Sequence, residues 1–418
     1  MEEEIISTSD ELRHFNREYI SEHRKDNRSS FLRQRRLNLL EVEQNAQNLT
    51  LEQFKETLLE LKNKKCTVNT LKKIKNACIN KEYIEVFFRT EGAFDSLVRL
   101  LSGKDAQKQL EATGCLINLA CGKHKVSCKI SKRCGAYLVS FINGGSHFLQ
   151  DLSAWAAGNL TLDCIECFQL LKAQGILPAL CTAIKVPSPN VLQSVVFALN
   201  ACMQYEDSDI ITSTQPDLAG YLLHHINKEN TPLPIIMDAS FILSKFCYLG
   251  ILNHLEFINL STAEGIFTCL NNMILNKKYT MVLVPLLRCL GYLLCEEALC
   301  KHLLKKESLN ECLNKLIAVE YEYLRREILW ILTNILGSDA CDENLFNAVF
   351  KTENIKVLLK PSEPFILQVI YFLSCLAARE KKAVMEPEIL HFLHNLSEYE
   401  DECIQNAAKV FFNVLNCD

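Results

Sequence analysis

The sequence predicts an all-α chain built as an array of stacked helical units behind a basic N-terminal arm. Three observations carry that prediction. Gly (14) and Pro (10) are scarce for 418 residues, which disfavours an all-β chain with its many turns and excludes collagen-like, proline-rich and Gly/Ser-linker architectures. Apolar residues make up 49% and charged residues 23%, the balance of a soluble chain able to bury a large core. The chain also resembles itself at a nearly constant interval.

That interval sets the class. Gly92-Ala-Phe-Asp-Ser-Leu-Val, Gly135-Ala-Tyr-Leu-Val-Ser-Phe and Gly175-Ile-Leu-Pro-Ala-Leu-Cys each precede an apolar helix with a polar residue at a fixed place. Equivalent positions fall at Asn118, Asn159, Ala201, Lys245, Tyr292, Asn334, Cys375 and Asn413, spaced by 38–47 residues. This period matches the armadillo/HEAT class, in which each unit is two or three helices. One unit cannot bury its own apolar face, so stacking must supply a continuous core and a right-handed superhelical armadillo-repeat solenoid. About eight repeats fill residues 66–418, numbered 1 to 8 below. Residues 51–65 have i, i+3, i+4, i+7 apolar spacing and read as an amphipathic lead-in helix. Residues 1–50 are polar and basic, lack the period, and form the arm.

The acidic start, Met-Glu-Glu-Glu-Ile-Ile, lacks the basic-then-apolar order of a secretory signal. The longest apolar stretches read from the sequence, around 281–295 and 365–378, are too short to span a bilayer and read as buried helices, so no membrane partner is expected. Without a secretory signal the 20 cysteines are expected to stay reduced, many of them packing as small hydrophobes. Cytoplasm and nucleus are the expected compartments. The net charge of −5 is uneven: residues 13–36 hold eight Lys/Arg against three acids, and the remaining 37 basic and 47 acidic residues leave −10. A basic arm before an acidic body points to interaction chemistry.

Both tryptophans of the chain have Asn four residues later: Trp155–Asn159 and Trp330–Asn334. Residues i and i+4 share a helix face, and both pairs occupy the same place in their repeats, on the third helix. A tryptophan wall with an amide beside it suits an extended peptide: the amide can bond peptide N–H and C=O, and the indole can stack on a Lys or Arg stem. The opposing interpretation is core packing, with each Asn satisfying local backbone.

On these residues the chain resembles the importin-alpha family, armadillo adaptors that carry basic nuclear-localisation peptides. It looks like a divergent, shortened member, similar to the importin-alpha-like "transmembrane and coiled-coil domain" group. Trp155-Ala-Ala-Gly-Asn159-Leu-Thr-Leu-Asp163 resembles that family's second repeat. The resemblance implies that Asp163 binds a lysine ammonium, with Asn118, the Gly122 carbonyl and the Ser127 hydroxyl shaping the same pocket. Arg288-Cys-Leu-Gly-Tyr292 is similar to the arginine-bearing repeat between two peptide sites, and Glu327-Ile-Leu-Trp330-Ile-Leu-Thr-Asn334 to the second, minor site. The arm, with Arg24, Lys25, Arg28, Arg33, Arg35 and Arg36, resembles an importin-beta-binding segment, which implies an importin-beta-type receptor as partner and basic cargo segments as ligands.

The family pattern is broken in places. Gly114, Phe197, Phe241, Tyr371 and Lys409 stand at the Trp position, and Ala201, Lys245 and Cys375 at the Asn position. A protein-binding scaffold of the same fold, with a degenerate groove and no import activity, is the alternative. Other chemistry has little to rest on. Cys164-Ile-Glu-Cys167 is a single C-x2-C, and His391-Phe-Leu-His394 lacks partners, so neither predicts a metal. No phosphate loop or nucleophile–base set is present, so no enzyme and no cofactor are expected. An acidic body repels phosphate and disfavours direct nucleic-acid binding.

Overall fold

The apolar positions that recur along the chain become helix faces packed on their neighbours. The computed structural model describes residues 49–416 except 64, 206–216, 253–257, 320 and 360–364, and every described element is a helix. The expected partner-binding residues Arg24, Lys25, Arg28, Arg33, Arg35 and Arg36 lie outside the described residues. By contacts the chain divides into two compact units, one up to Ala93 and one from Phe94 onward.

The first unit holds helices Leu51–Lys62, Val68–Ala77 and Lys81–Arg89. The lead-in helix starts where it does because Thr50 and Gln53 form a reciprocal capping box, satisfying two amides the first turn leaves open. Its apolar face buries Phe54, Leu58 and Leu61, in a unit whose other helices bury Leu71, Ile74, Ile84 and Phe87. Each such side chain, fully buried, stabilises by roughly 1.5–3 kcal/mol over leaving it in water. Tyr83 packs edge-on to Phe54 at 5.0 Å and donates its hydroxyl to the Leu49 carbonyl at 2.6 Å.

In the second unit, the repeat register predicted from spacing falls on one class of helix. The third helices are Ala106–Leu119, His147–Asp163, Pro189–Cys202, Leu233–Leu252, Thr280–Leu293, Glu322–Leu336, Ile366–Arg379 and Glu402–Asn416, and each contains its repeat's register residue. Each packs on the third helix of the next repeat. The preceding helices vary. Repeat 3 has two short ones, Ile165–Ala173 and Ile176–Ala183, separated by Gly175 at φ +87°, a conformation that favours glycine. Repeat 2 runs through the same motif as one helix, His124–Ile142, with Gly135 in its interior. A Cβ at Gly135 would lie 2.9 Å from a methyl of Leu171, so here the glycine serves close packing of the next repeat rather than a turn.

Among the described residues the longest apolar helix is Leu233–Leu252 of repeat 4, not the segments 281–295 and 365–378 expected from sequence. By length and composition alone Leu233–Ile251 could cross a membrane, and 67% of that window is buried inside the protein. Its polar residues are accommodated: Asp238 accepts from Asn200 Nδ2 at 2.8 Å, and the Lys245 ammonium lies 5.3 Å from the Tyr248 ring centroid.

Candidate functional site

The Trp–Asn pairs are placed by helices that cross their predecessors in one register. Asn159 donates from Nδ2 to the Ile117 carbonyl at 3.1 Å and to Cys121 Sγ at 3.8 Å. Asn334 donates from Nδ2 to the Gly291 carbonyl at 2.9 Å and to Cys295 Sγ at 3.3 Å. Ile117 and Gly291 both immediately precede the register residue of the earlier repeat, and Cys121 and Cys295 both lie three residues after it. The two amides therefore perform the same act: each clips its helix to the end of the third helix before it. Such a bond is worth about 0.5–1.5 kcal/mol net. Asn159 is only 6% exposed, so its donors face the protein.

The aromatic position is also used across the repeat boundary. A Cβ on Gly158 would lie 2.8 Å from Phe197 Cδ1, and one on Gly291 would lie 2.6 Å from Trp330 Cε3. In both cases a glycine just before the register residue lets the next repeat's aromatic ring rest on helix backbone. Trp330 also meets Tyr292 edge-on at 5.0 Å, and Tyr292 meets Tyr248 at 5.3 Å, giving a run of three aromatic rings from repeats 4, 5 and 6. Burial pushes the Tyr292 phenol well above its ordinary range, against the opposing pull of Arg288. Trp155 and Trp330 are both partly buried, neither sealed in the core nor fully in water.

The acids beside the two pairs differ. Asp163, with 21% of its side chain exposed, sits 3.1 Å by Oδ2 from His124 Nδ1. Glu327 is nearly sealed, 7% exposed, and Arg288 grips its Oε1 through Nε and a terminal nitrogen, each at 2.7 Å, while itself 11% exposed. Two residues read separately from sequence are thus one buried ion pair. Among the remaining expected site residues, Asn118 and Gly122 are partly exposed. Ser127 is fully buried and donates to the Ala120 carbonyl at 3.3 Å, so its hydroxyl is spent inside the fold. In repeat 3, Phe197 and Ala201 are both buried.

Sequence reading missed Cys121, Cys295, Gly158 and Gly291. A signal was present: the cysteine three residues after the register residue occurs in repeats 1 and 5, each just ahead of a Trp–Asn repeat. The Arg288–Glu327 pair had one too, opposite charges 39 residues apart, close to one period.

No protein-family model matches the chain. Over 304 residues, 70% of its length, it is 23% identical to importin subunit alpha-9 of Arabidopsis thaliana, and it covers 57% of that protein, so it spans a little over half of the curated relative. Among solved structures, an engineered protein matches with a TM-score of 0.69 at 16% identity, over 88% of this chain and 92% of the other. A designed armadillo repeat protein matches with a TM-score of 0.47 at 18% identity, over 57% of this chain and 98% of the other. Helix register and sequence likeness agree: the chain is an all-α armadillo-repeat solenoid, importin-alpha-like in sequence.

Proposed function

We propose that this chain is a non-enzymatic nuclear import adaptor of the cytoplasm and nucleus. The third helices of repeats 1 and 2 grip an extended basic cargo segment, and the arm recruits an importin-beta-type receptor. The observation that carries this reading is the in-register Trp–Asn pair with a partly exposed carboxylate one turn on, Trp155, Asn159 and Asp163. A cargo lysine lays its stem on the Trp155 indole and its ammonium against Asp163, while Asn159 Oδ1 accepts a peptide N–H. Repeat 6, with Glu327 already neutralised by Arg288, contributes the Trp330 and Asn334 surface and little charge.

The chain has only two tryptophans, so Trp330→Phe leaves Trp155 as sole reporter and Trp155→Phe the reverse. Titrating a lysine-rich localisation peptide should perturb Trp155 emission at low salt, weaken as salt rises, and lose several-fold to about 30-fold affinity in Trp155→Ala. Binding indifferent to both Trp155→Ala and Asp163→Lys, or none at low salt, ends this reading. A second reading, a protein-binding scaffold without import activity, is favoured by the sealed Arg288–Glu327 pair and by buried Phe197 and Ala201 between the two pairs. Capture of an importin-beta-type receptor by the full chain, lost in an Arg35→Ala/Arg36→Ala variant, supports the first reading; no capture supports the second.

A further inference from the structure

Repeat packing gives the lone C-x2-C a second half that the linear sequence conceals. His124 opens helix His124–Ile142, and Cys128 lies one turn further on the same face. Cys164 is the single residue joining His147–Asp163 to Ile165–Ala173, and its sulfur caps the latter by accepting from the Cys167 amide at 3.3 Å. Cys128 and Cys167 approach to 3.5 Å between sulfurs, although 39 residues separate them. His124 Nε2 is 3.6 Å from Cys128 Sγ. The ligand atoms of His124, Cys128 and Cys164 all lie within 4.8 Å of one another, as do those of Asp163, Cys164 and Cys167.

We propose that His124, Cys128, Cys164 and Cys167 form a Cys3His zinc site that ties the start of helix His124–Ile142 to the junction between repeats 2 and 3. The distances suit it. With Zn–S about 2.3 Å and Zn–N about 2.0–2.1 Å, a tetrahedron has S···S edges of about 3.8 Å and N···S edges of about 3.6 Å. The Cys128–Cys167 and His124–Cys128 separations are already near those edges, and the Cys164 sulfur lies within 4.8 Å of the ligand atoms of His124, Cys128 and Cys167. Three thiolates with one imidazole favour zinc over harder, oxygen-seeking cations.

Two features beyond the ligands support the assignment. Asp163 Oδ2 lies 3.1 Å from His124 Nδ1, the carboxylate–histidine arrangement that fixes the tautomer and leaves Nε2 to face a metal. Exposed Glu166, whose Oε2 is 3.5 Å from Nε2, is the group that gives way. Helices His124–Ile142 and Ile165–Ala173 both begin at the cluster, so two positive helix ends face the thiolates. Binding releases three thiol protons to solvent as three Zn–S bonds form, with no change of oxidation state.

The test uses the full chain, purified under a non-chelating reductant and reconstituted with zinc. Elemental analysis should find about one zinc per chain. Replacement by Co²⁺ should give thiolate-to-cobalt charge-transfer absorption and strong tetrahedral d–d bands. Cys128→Ser/Cys164→Ser should lose the metal, while Cys295→Ser and Cys403→Ser, at exposed thiols elsewhere, should keep it. Asp163→Ala should bind zinc about 10–100-fold more weakly. Unchanged helical circular dichroism separates lost metal from lost fold, and the wild-type cobalt spectrum needs no variant. Zinc-free wild-type chain after reconstitution, metal kept by the double variant, or a Cys128–Cys167 disulfide under reductant would overturn the proposal. The readout is metal content, so failure of peptide binding leaves it untouched.

Discussion

In repeats 1 and 2 the acid beside the Trp–Asn pair keeps 21% of its side chain in water and its neighbour is a histidine 54% exposed. In repeats 5 and 6 the acid is 7% exposed and held by an arginine. The amide clip is the same at both places, down to the carbonyl and cysteine it binds. The difference teaches that the clip belongs to the architecture, while charge exposure is set separately by each repeat's neighbours. Repeats 1 and 2 present a carboxylate; repeats 5 and 6 present aromatic surface.

The contrast breaks most sharply at Arg288. Arg288→Ala leaves Glu327 buried and unpaired and should cost roughly 3–5 kcal/mol, whereas Arg288→Met with Glu327→Leu should be close to neutral. Calorimetric melting of the three chains checks this. If the single variant melts with wild type, the pair is incidental and Glu327 is open to a ligand.

Next come the glycines. Gly158→Ala presses a methyl into the Phe197 ring, with the Ala198 Cα 3.2 Å away, and Gly291→Ala does so against Trp330. Each should destabilise by about 1–3 kcal/mol, as overpacking does. Gly145→Ala, with nothing within 4 Å, is the control and should leave denaturant midpoints unchanged. Equal losses at Gly158 and Gly291 mean that the ring-on-backbone contact is common to both ends.

The smallest effects sharpen the comparison further. Asn159→Ala and Asn334→Ala should each lose about 0.5–1.5 kcal/mol without any peptide present, because each amide serves a neighbouring helix. An unchanged urea midpoint in either would assign that amide to ligand binding alone.

The eight register positions were legible because apolar periodicity at 38–47 residues survives substitution of the residues between. Trp155 with Asn159 and Trp330 with Asn334 were legible for the same reason. What each side chain touches was not, since a carbonyl such as that of Ile117 is the same group in every residue and only packing selects it. That the repeat-4 helix, marked in sequence by Phe241 and Lys245, outruns the other apolar stretches was not legible because Pro234, Asp238 and Lys245 interrupt its apolar run, and the fold supplies Asn200 for Asp238 and Tyr248 for Lys245. The continuous helix His124–Ile142 was hidden because Gly135 looks identical in sequence whether it reverses the chain or admits Leu171.

The glycine beneath the neighbouring aromatic has a wider meaning for how such a chain can be recombined. Slot and key sit on different modules, Gly158 with Phe197 and Gly291 with Trp330, so modules carry a direction and a designated successor. Duplicating or transposing a single module would set a large ring over an unyielding Cβ, or leave a notch unfilled. Viable shuffling of this chain would have to move such modules in adjoining pairs.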